Sequence, residues 1–347
     1  MSNGGNKLPA LPPLVQEKLQ KSGYTRGATV REIYQNRVTR SNPVLIPWDL
    51  WQLCKIPGDG TEEYERGFIV LVEPSWYFTT GDADAQLGAE GLELGVNALL
   101  LYRRRFDWEK FQPKDGALPG GKPFSPASAR TNPLGGTYFS RIHATTSDGV
   151  RAVSEGFNTN KLRGAGIRVY EYASSKTIDD SKLQLECLIW NCHDSIPALV
   201  SAGMSQADAS KRKTEQKAAA SARDLWDVKR LTEARILNDR AHTICPLCLE
   251  ELSAADFFKR SEQAKGRETY DLTVTEISLF HIQELRVGKL QHKPYNLGWG
   301  HHFCNVVVKD AGIIPTLEWM KRVVDNNGDS WEKIQADKIL VEEAVDL

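Results

Sequence analysis

No apolar run in this 347-residue chain approaches the ~18 residues that a membrane-spanning helix needs, which sets helical membrane proteins aside. The opening residues, MSNGGNKLPALPPL, lack a basic segment followed by an apolar one, so a secretory signal is not expected and a cytoplasmic protein is. A Gly-rich phosphate loop, a dinucleotide fingerprint and a nucleophile elbow are also missing, which argues against an ordinary metabolic enzyme. There is no internal repeat and no low-complexity tract. Net charge is almost absent, at −1, and by itself neither suggests nor excludes a nucleic-acid partner. Cysteine is sparse: six residues in a chain read as cytosolic argue against a disulfide framework.

What is present is the composition of a globular protein, 41% hydrophobic and 26% charged, in a length that suits two domains or one domain with a large appendage. Charge is unevenly spread. Acidic residues gather after Asp325, and basic ones gather in YRRRF (Arg103, Arg104, Arg105), NTNKLRGAGIR (Lys161, Arg163, Arg168) and KRKTEQK (Lys211, Arg212, Lys213, Lys217). Any one such run can be no more than a solvated face.

An amphipathic stretch over 13–21 reads as a short helix. Apolar runs at 67–76, 97–104, 167–174 and 183–190 read as strands, the last two by their period-2 alternation. Long polar loops at 113–137 and 155–166 suggest a binding purpose or disorder. Residues 205–240 contain neither Gly nor Pro and read as one long helix, N-capped by Ser205 with Asp208 in its first turn. That helix is expected to join an N-terminal α+β region to the C-terminal third of the chain.

Five of the seven histidines (His242, His281, His292, His301, His302) and three of the six cysteines (Cys245, Cys248, Cys304) fall in the last third of the chain. Such clustering of soft and borderline donors points to metal. In ICPLC, Cys245 and Cys248 can turn two thiolates toward one ion; a redox pair or two buried thiols are the alternatives. His301 and Cys304 repeat the spacing in LGWGHHFCN, where residues three apart share a helix face. Together the two pairs supply the four donors of a closed structural zinc site, with His302 the main rival for the fourth place and His242 a weaker one. The cluster CLIWNCHD, with Cys187, Cys192 and His193, reads as packing and a turn.

Between the two pairs, TVTEISLFHI alternates like a strand and ends at His281; a Gly-containing loop, YNLGW and a helix from about His302 come next. This segment, about residues 240–312, resembles the zinc-containing branch of the HNH, or ββα-metal, nucleases. The matching residues are Cys245 and Cys248, His281-Ile282, Gly288, Asn296, His301 to Cys304, Asn305 and Lys309. Two departures stand out: Phe280 occupies the place of an acidic metal ligand, and His301 replaces a cysteine. The resemblance implies His281 as general base, Asn296 as the residue that holds its loop, and Asn305 as a ligand of a catalytic divalent ion, Mg²⁺. His302 could face the same ion, and Glu284 is a weak candidate for the missing acid.

The implied protein has an α+β fold: a DNA-recognition region over 1–204, a linking helix over 205–240, a zinc-stapled HNH element over 241–320 and a helical tail over 321–347. The N-terminal GYTRGATVREIYQNRVTRSNPVLIPW resembles the BstXI-like group of type II restriction enzymes. That likeness implies a homodimer cutting both strands of double-stranded DNA at a palindromic site, with no membrane partner. Candidate base and phosphate contacts are Arg103, Arg104, Arg105, Arg130, Asn132, Asn158, Asn160, Lys161 and Arg163, because Arg and Lys suit guanine and Asn suits adenine. The rival readings are a modification-dependent or homing HNH enzyme, and a zinc-stapled DNA-binding regulator whose nuclease site has decayed.

Overall fold

The runs FIVLV and ALLLY are apolar at every position rather than at alternate ones, the pattern of strands covered on both faces. In the computed structural model, which describes residues 8–25, 38–55, 63–142, 153–157, 166–260, 275–309 and 311–328, they are central strands of a mixed sheet. The N-terminal part contains α1 (Pro13–Lys21), β1 (Tyr24–Thr25), β2 (Val38–Thr39), β3 (Val44–Pro47), α2 (Trp51–Cys54), β4 (Phe68–Val72), α3 (Pro74–Thr79) and α4 (Ala83–Ala89). Then come β5 (Ala98–Tyr102), α5 (Arg105–Lys110), β6 (Tyr138–Ile142), β7 (Val153–Glu155) and β8 (Ile167–Arg168). The sheet order is β7-β6-β5-β4-β3-β8; β8 through β6 run parallel, and β7 closes one edge antiparallel to β6.

Each strand sends alternate side chains to opposite faces. Val44, Ile46, Val70, Val72, Ala98, Leu100 and Tyr102 pack with Trp51, Tyr77 and Leu87 of the crossover helices. Leu45, Ile69, Leu71, Leu99 and Leu101 meet a smaller layer with Ala127, Leu134 and Phe157. The expected strand at 167–174 is shorter than its alternation suggested: β8 ends at Arg168, and a 3-10 turn, Val169–Glu171, continues the chain.

The second half contains α6 (Ser175–Trp190), α7 (Ser195–Ser201), α8 (Gln206–Ala222), α9 (Val228–Glu233), β9 (Ile277–His281), β10 (Leu297–His301), α10 (His302–Val308) and α11 (Ile313–Asn326). LQLECLIW is therefore helical, not a strand. Ser174 caps α6 by accepting from the Thr177 backbone N–H. The polar members of the apparent alternation, Gln184 and Glu186, are buried at 1% and 5% exposure and fully engaged. Gln184 donates to the Leu225 carbonyl at 2.8 Å. Glu186 accepts from Arg212 Nε at 2.6 Å and Nη2 at 3.0 Å, from Gln216 at 3.1 Å and from Trp190 at 3.2 Å. A helix buried on nearly every side carries polar residues inside, and that counterfeits a two-sided strand.

The helix expected over 205–240 is two. Ser205 caps α8 as expected, accepting from Asp208 N at 3.0 Å. The chain breaks after Ala222, where Asp224 takes φ 55° and Asp227 caps α9. Carbonyls released by the break are satisfied from afar, since Tyr295 Oη donates to Asp224 O at 2.8 Å and Gln184 to Leu225 O. Nor is α8 a spacer: it packs on α6 and α7, and Arg212 of the basic run is spent on Glu186.

One core joins α1, α6, the stretch 231–257 and the β9–β10 hairpin, through Val15, Leu188, Trp190, Ile236, Phe257, Phe280 and Trp299. Lys18 of α1 donates to the Ile277 carbonyl at 2.6 Å, which pins the start of β9. Between β9 and β10, Val287 and Leu290 pack against the sheet's helical face. Gly288, at φ 79°, lies so close to α2 that a Cβ there would stand 3.0 Å from the Leu53 carbonyl. No helix among the described residues is long and apolar enough to cross a membrane.

The Glu186–Arg212 pair has side-chain exposures of 7% and 13%, so removing one partner strands a buried charge. Glu186→Ala is expected to cost about 3–5 kcal/mol in urea unfolding. Glu186→Leu combined with Arg212→Met should recover most of it; a single mutant within about 1 kcal/mol of the parent would show the pair to be dispensable.

Candidate functional site

The segment 243–252 folds into a knuckle because its carbonyl and amide groups meet across a tight turn. Leu249 N donates to Cys245 O at 2.9 Å, Cys245 N donates to Glu250 O at 2.9 Å, and Leu249 adopts φ 65° to close the turn. The knuckle is anchored to α6, where Thr243 Oγ1 donates to Leu188 O at 2.6 Å. Opposite it, His301 ends β10 and Cys304 lies in the first turn of α10. The ligand atoms of Cys245, Cys248, His301 and Cys304 all fall within 4.8 Å of one another, and this group could hold a metal ion.

The electrostatics of the four are those of a cation site. Burial opposes ionisation of Cys245, yet hydrogen bonds from His301 and from the backbone of Cys248, His301 and Leu247 hold its thiol down at about 6. Burial and the negative charge of Cys245 push Cys248 up to about 11, and burial also raises Cys304. Only Cys245 is thus favoured as a thiolate on its own, and a divalent ion bound among the four would supply the positive charge that lets all three thiols ionise. His242 is not in the group: its Nδ1 lies 3.2 Å from Glu251 Oε2.

His281 ends β9 opposite Leu297 of β10. Successive strand residues face opposite ways, so Phe280 points into the core, wholly buried, while His281 points toward the β9–β10 loop. The residue in the place of the acidic ligand is thus a packing residue and offers no oxygen. Asn296, at 4% exposure, fastens the loop beyond His281. Its Oδ1 accepts from Gln283 N at 2.7 Å, its Nδ2 donates to Gln291 O at 2.7 Å, and its backbone carbonyl accepts from Ile282 N at 3.0 Å.

No motif marks His292, yet it stands directly behind His281 in the fold. It is 1% exposed, with Nδ1 3.0 Å from His281 Nε2 and Nε2 2.7 Å from the Ser22 carbonyl. No spacing rule could have found it, because its anchor lies in the N-terminal helix turn. Burial above all, and then the Arg40 guanidinium, push His281 down to about 3 and His292 well below the ordinary histidine value.

Other expected site residues are more scattered. Asn305 comes directly after Cys304 on α10 and is partly exposed, as is His302, whose backbone N–H donates to Glu276 O at 2.7 Å. Glu284 is paired with Arg286. Arg104, which caps α5, is committed to Asp107 at 2.7 Å, and Arg105 lies 3.8 Å from Glu109 within α5. Arg103 lines a cavity of about 250 Å³ at the carboxyl ends of β3, β4 and β5, with Arg168 and with Val287 of the loop after His281. Arg130 and Asn132 lie in the coil before β6. Asn158, Asn160, Lys161 and Arg163 lie outside the described residues. Cys187 and Cys192 are buried thiols that donate to the Gln216 and Leu188 carbonyls, a packing role.

A family profile for the BstXI restriction endonuclease matches residues 17–302, more than half of the chain. The matched span includes Cys245, Cys248, His281, His292, Asn296 and His301 and stops short of Cys304 and Asn305. A solved structure described as a type II restriction endonuclease aligns at 16% identity and a TM-score of 0.27, over 48% of this chain and 59% of that one. No curated protein matches the chain.

Two outcomes are expected from this geometry. Elemental analysis of the purified parent should show about one equivalent of metal per chain, and Cys245→Ser should show less. An unchanged content would move the ion elsewhere. Separately, the unfolded chain takes up protons on both histidines below about pH 6.5, while the folded chain keeps them neutral, so stability present above that pH is lost as pH falls toward 3. The loss is up to about 1.4 kcal/mol per pH unit per histidine. Urea midpoints measured from pH 6.5 to 5 should fall more steeply for the parent than for His281→Leu; parallel slopes would assign the protonation to other groups.

Proposed function

Because the chain belongs to the BstXI restriction endonuclease family, we propose that it is a type II endonuclease that hydrolyses phosphodiester bonds of double-stranded DNA at a specific site. We propose further that the cutting centre is the HNH-type unit formed by β9, its loop, β10 and α10. The observation that carries this reading is the convergence around one hairpin of a Cys₃His group between the 243–252 knuckle and the β10–α10 junction, a neutral His281 at the strand end and an Asn296 that fastens its loop.

The donor set of three thiols and one imidazole fits zinc, a borderline-soft ion that favours four N and S ligands. With all four places taken by protein, such an ion is structural, and its work here is to keep α10 against the knuckle. Hydrolysis needs a base for the attacking water and positive charge at the phosphate. His281 is the base: it is neutral at pH 7 with a nitrogen free to take the water's proton, and a phosphate bound beside it would offset the burial and the Arg40 charge that weaken its basicity. Asn296 limits the loop's freedom, so the imidazole keeps one direction. A hard divalent ion such as Mg²⁺ would supply charge at the phosphate and would be held by the Asn305 amide oxygen, with His302 beside it. Mg²⁺ is usually held by one or two carboxylates with water and phosphate completing its shell, so with Phe280 in place of the acid the substrate phosphate and water would have to supply most of its oxygens.

Base and phosphate contacts are assigned to Arg103, Arg104, Arg105, Arg130, Asn158, Asn160, Lys161 and Arg163. Arg103 is favoured among the first three, because its neighbours are the ones already paired with carboxylates. A second copy of the chain is the proposed partner. Phe303, Val306, Ile314, Trp319 and Val324 leave apolar side chains exposed on α10 and α11, which supports a homodimer acting on both strands.

A second reading, a DNA-binding regulator with a decayed centre, is favoured by Phe280. One experiment separates the two. With Mg²⁺ or Mn²⁺, the parent should cut unmodified plasmid at fixed positions, and His281→Ala should lose at least about 100-fold in rate while keeping its metal. Cutting by the variant would remove His281 from the base role. Binding without any cutting by the parent would establish the regulator instead.

A further inference from the structure

An imidazole can act as a base only at the nitrogen that bears no hydrogen, and in a neutral ring two tautomers compete for that role. In this protein the hydrogen-bond chain behind His281 decides between them. Its outer end is the Ser22 carbonyl, held in place because Ser22 closes α1: its N–H donates to Lys18 O at 3.2 Å and its hydroxyl to Leu19 O at 2.6 Å. A carbonyl oxygen only accepts. His292 Nε2, 2.7 Å away, must therefore carry a hydrogen. A neutral His292 then has a bare Nδ1, which must accept from the group 3.0 Å away, His281 Nε2. The hydrogen of His281 thus sits on Nε2.

A second proton on His292 would reverse this polarity, and the surroundings oppose it. His292 is 1% exposed, and Arg40, 6% exposed, donates from Nε to the same Ser22 carbonyl at 3.3 Å and from Nη1 to the Glu171 carbonyl at 3.2 Å. A fixed cation next to a buried ring disfavours another.

We infer that His292 is a positioning residue, which locks His281 as the Nε2–H tautomer and leaves Nδ1 as the atom that accepts the proton of the attacking water. The inference rests on the reading of His281 as the base, but its chemistry is separate: it assigns the working atom, and the residue that selects it, to a chain running back to the end of α1. Groups that orient a functional histidine through its other nitrogen commonly matter about 10- to 100-fold.

The test reads the tautomer directly. Two-bond ¹H–¹⁵N correlation spectra of the full, metal-loaded chain labelled with ¹⁵N-histidine should show both His281 and His292 as Nε2–H tautomers at pH 7.5. In His292→Phe, His281 should become a mixture of tautomers, and single-turnover plasmid cutting should slow about 10- to 100-fold with metal content and DNA binding kept. His292→Gln, whose amide can accept from His281 and donate to Ser22, should restore the tautomer and most of the rate. A parent His281 with its hydrogen on Nδ1 overturns the inference without any variant, as does a folded His292→Phe with the parent's tautomer and rate. Failure of the base reading looks different, because His281→Ala would then still cut while the parent's tautomers stayed as inferred.

Discussion

The rest of the C-terminal half depends on four ligand atoms lying within 4.8 Å of one another. Two come from a knuckle just beyond α9, and two from the junction of β10 and α10, more than fifty residues later in sequence. A shared cation would reconcile three thiolates and an imidazole in so small a space. With the ends of the segment joined, β9 and β10 have a fixed frame, and α10 starts at a fixed point beside them. The loop in between could then be held by hydrogen bonds rather than by bulk, since a bound ion would already set its closure.

The second constraint is the seam between this unit and the N-terminal half. Lys18 grips the first residue of β9, and the Ser22 carbonyl grips His292, so α1 touches both ends of the stretch that carries His281. On the far side of the loop, Val287 and Leu290 pack on the helical face of the sheet, and Gly288 lies against Leu53. The cavity with Arg103, Arg168 and Val287 is on this same seam, at the carboxyl ends of parallel strands, where sheets of this kind tend to leave a crevice. In the proposed nuclease, a phosphate or base held there would be sensed by the loop beside His281 through direct packing.

Local chemistry explains which features were legible and which were not. The helix at 13–21, the buried runs of β4 and β5, the Ser205 cap, the hairpin strands ending at His281 and His301 and the metal pairs all express rules that act within a few residues. LQLECLIW misled because Gln184 and Glu186 are buried with partners on α8 and beyond, so polarity no longer marked the solvent side. The supposed long helix misled for the reverse reason: no breaker stands at 223–227, and the chain turns there because Tyr295 and Gln184 accommodate the broken turn. Asn296 was marked out by its place in a motif, but the three hydrogen bonds that give it work were visible only in the folded chain.

By itself the sequence determined the donor atoms, their spacing, the hairpin that presents them and the histidine at its tip, because thiolate geometry and strand periodicity act over short distances. Only tertiary structure decided that Phe280 faces the core, that Arg212 serves Glu186 rather than a partner, and that His292 stands behind His281. The last depends on a carbonyl 270 residues away. Direction and protonation of an imidazole are properties of its neighbours, and neighbours across such a separation are set by how the whole chain packs.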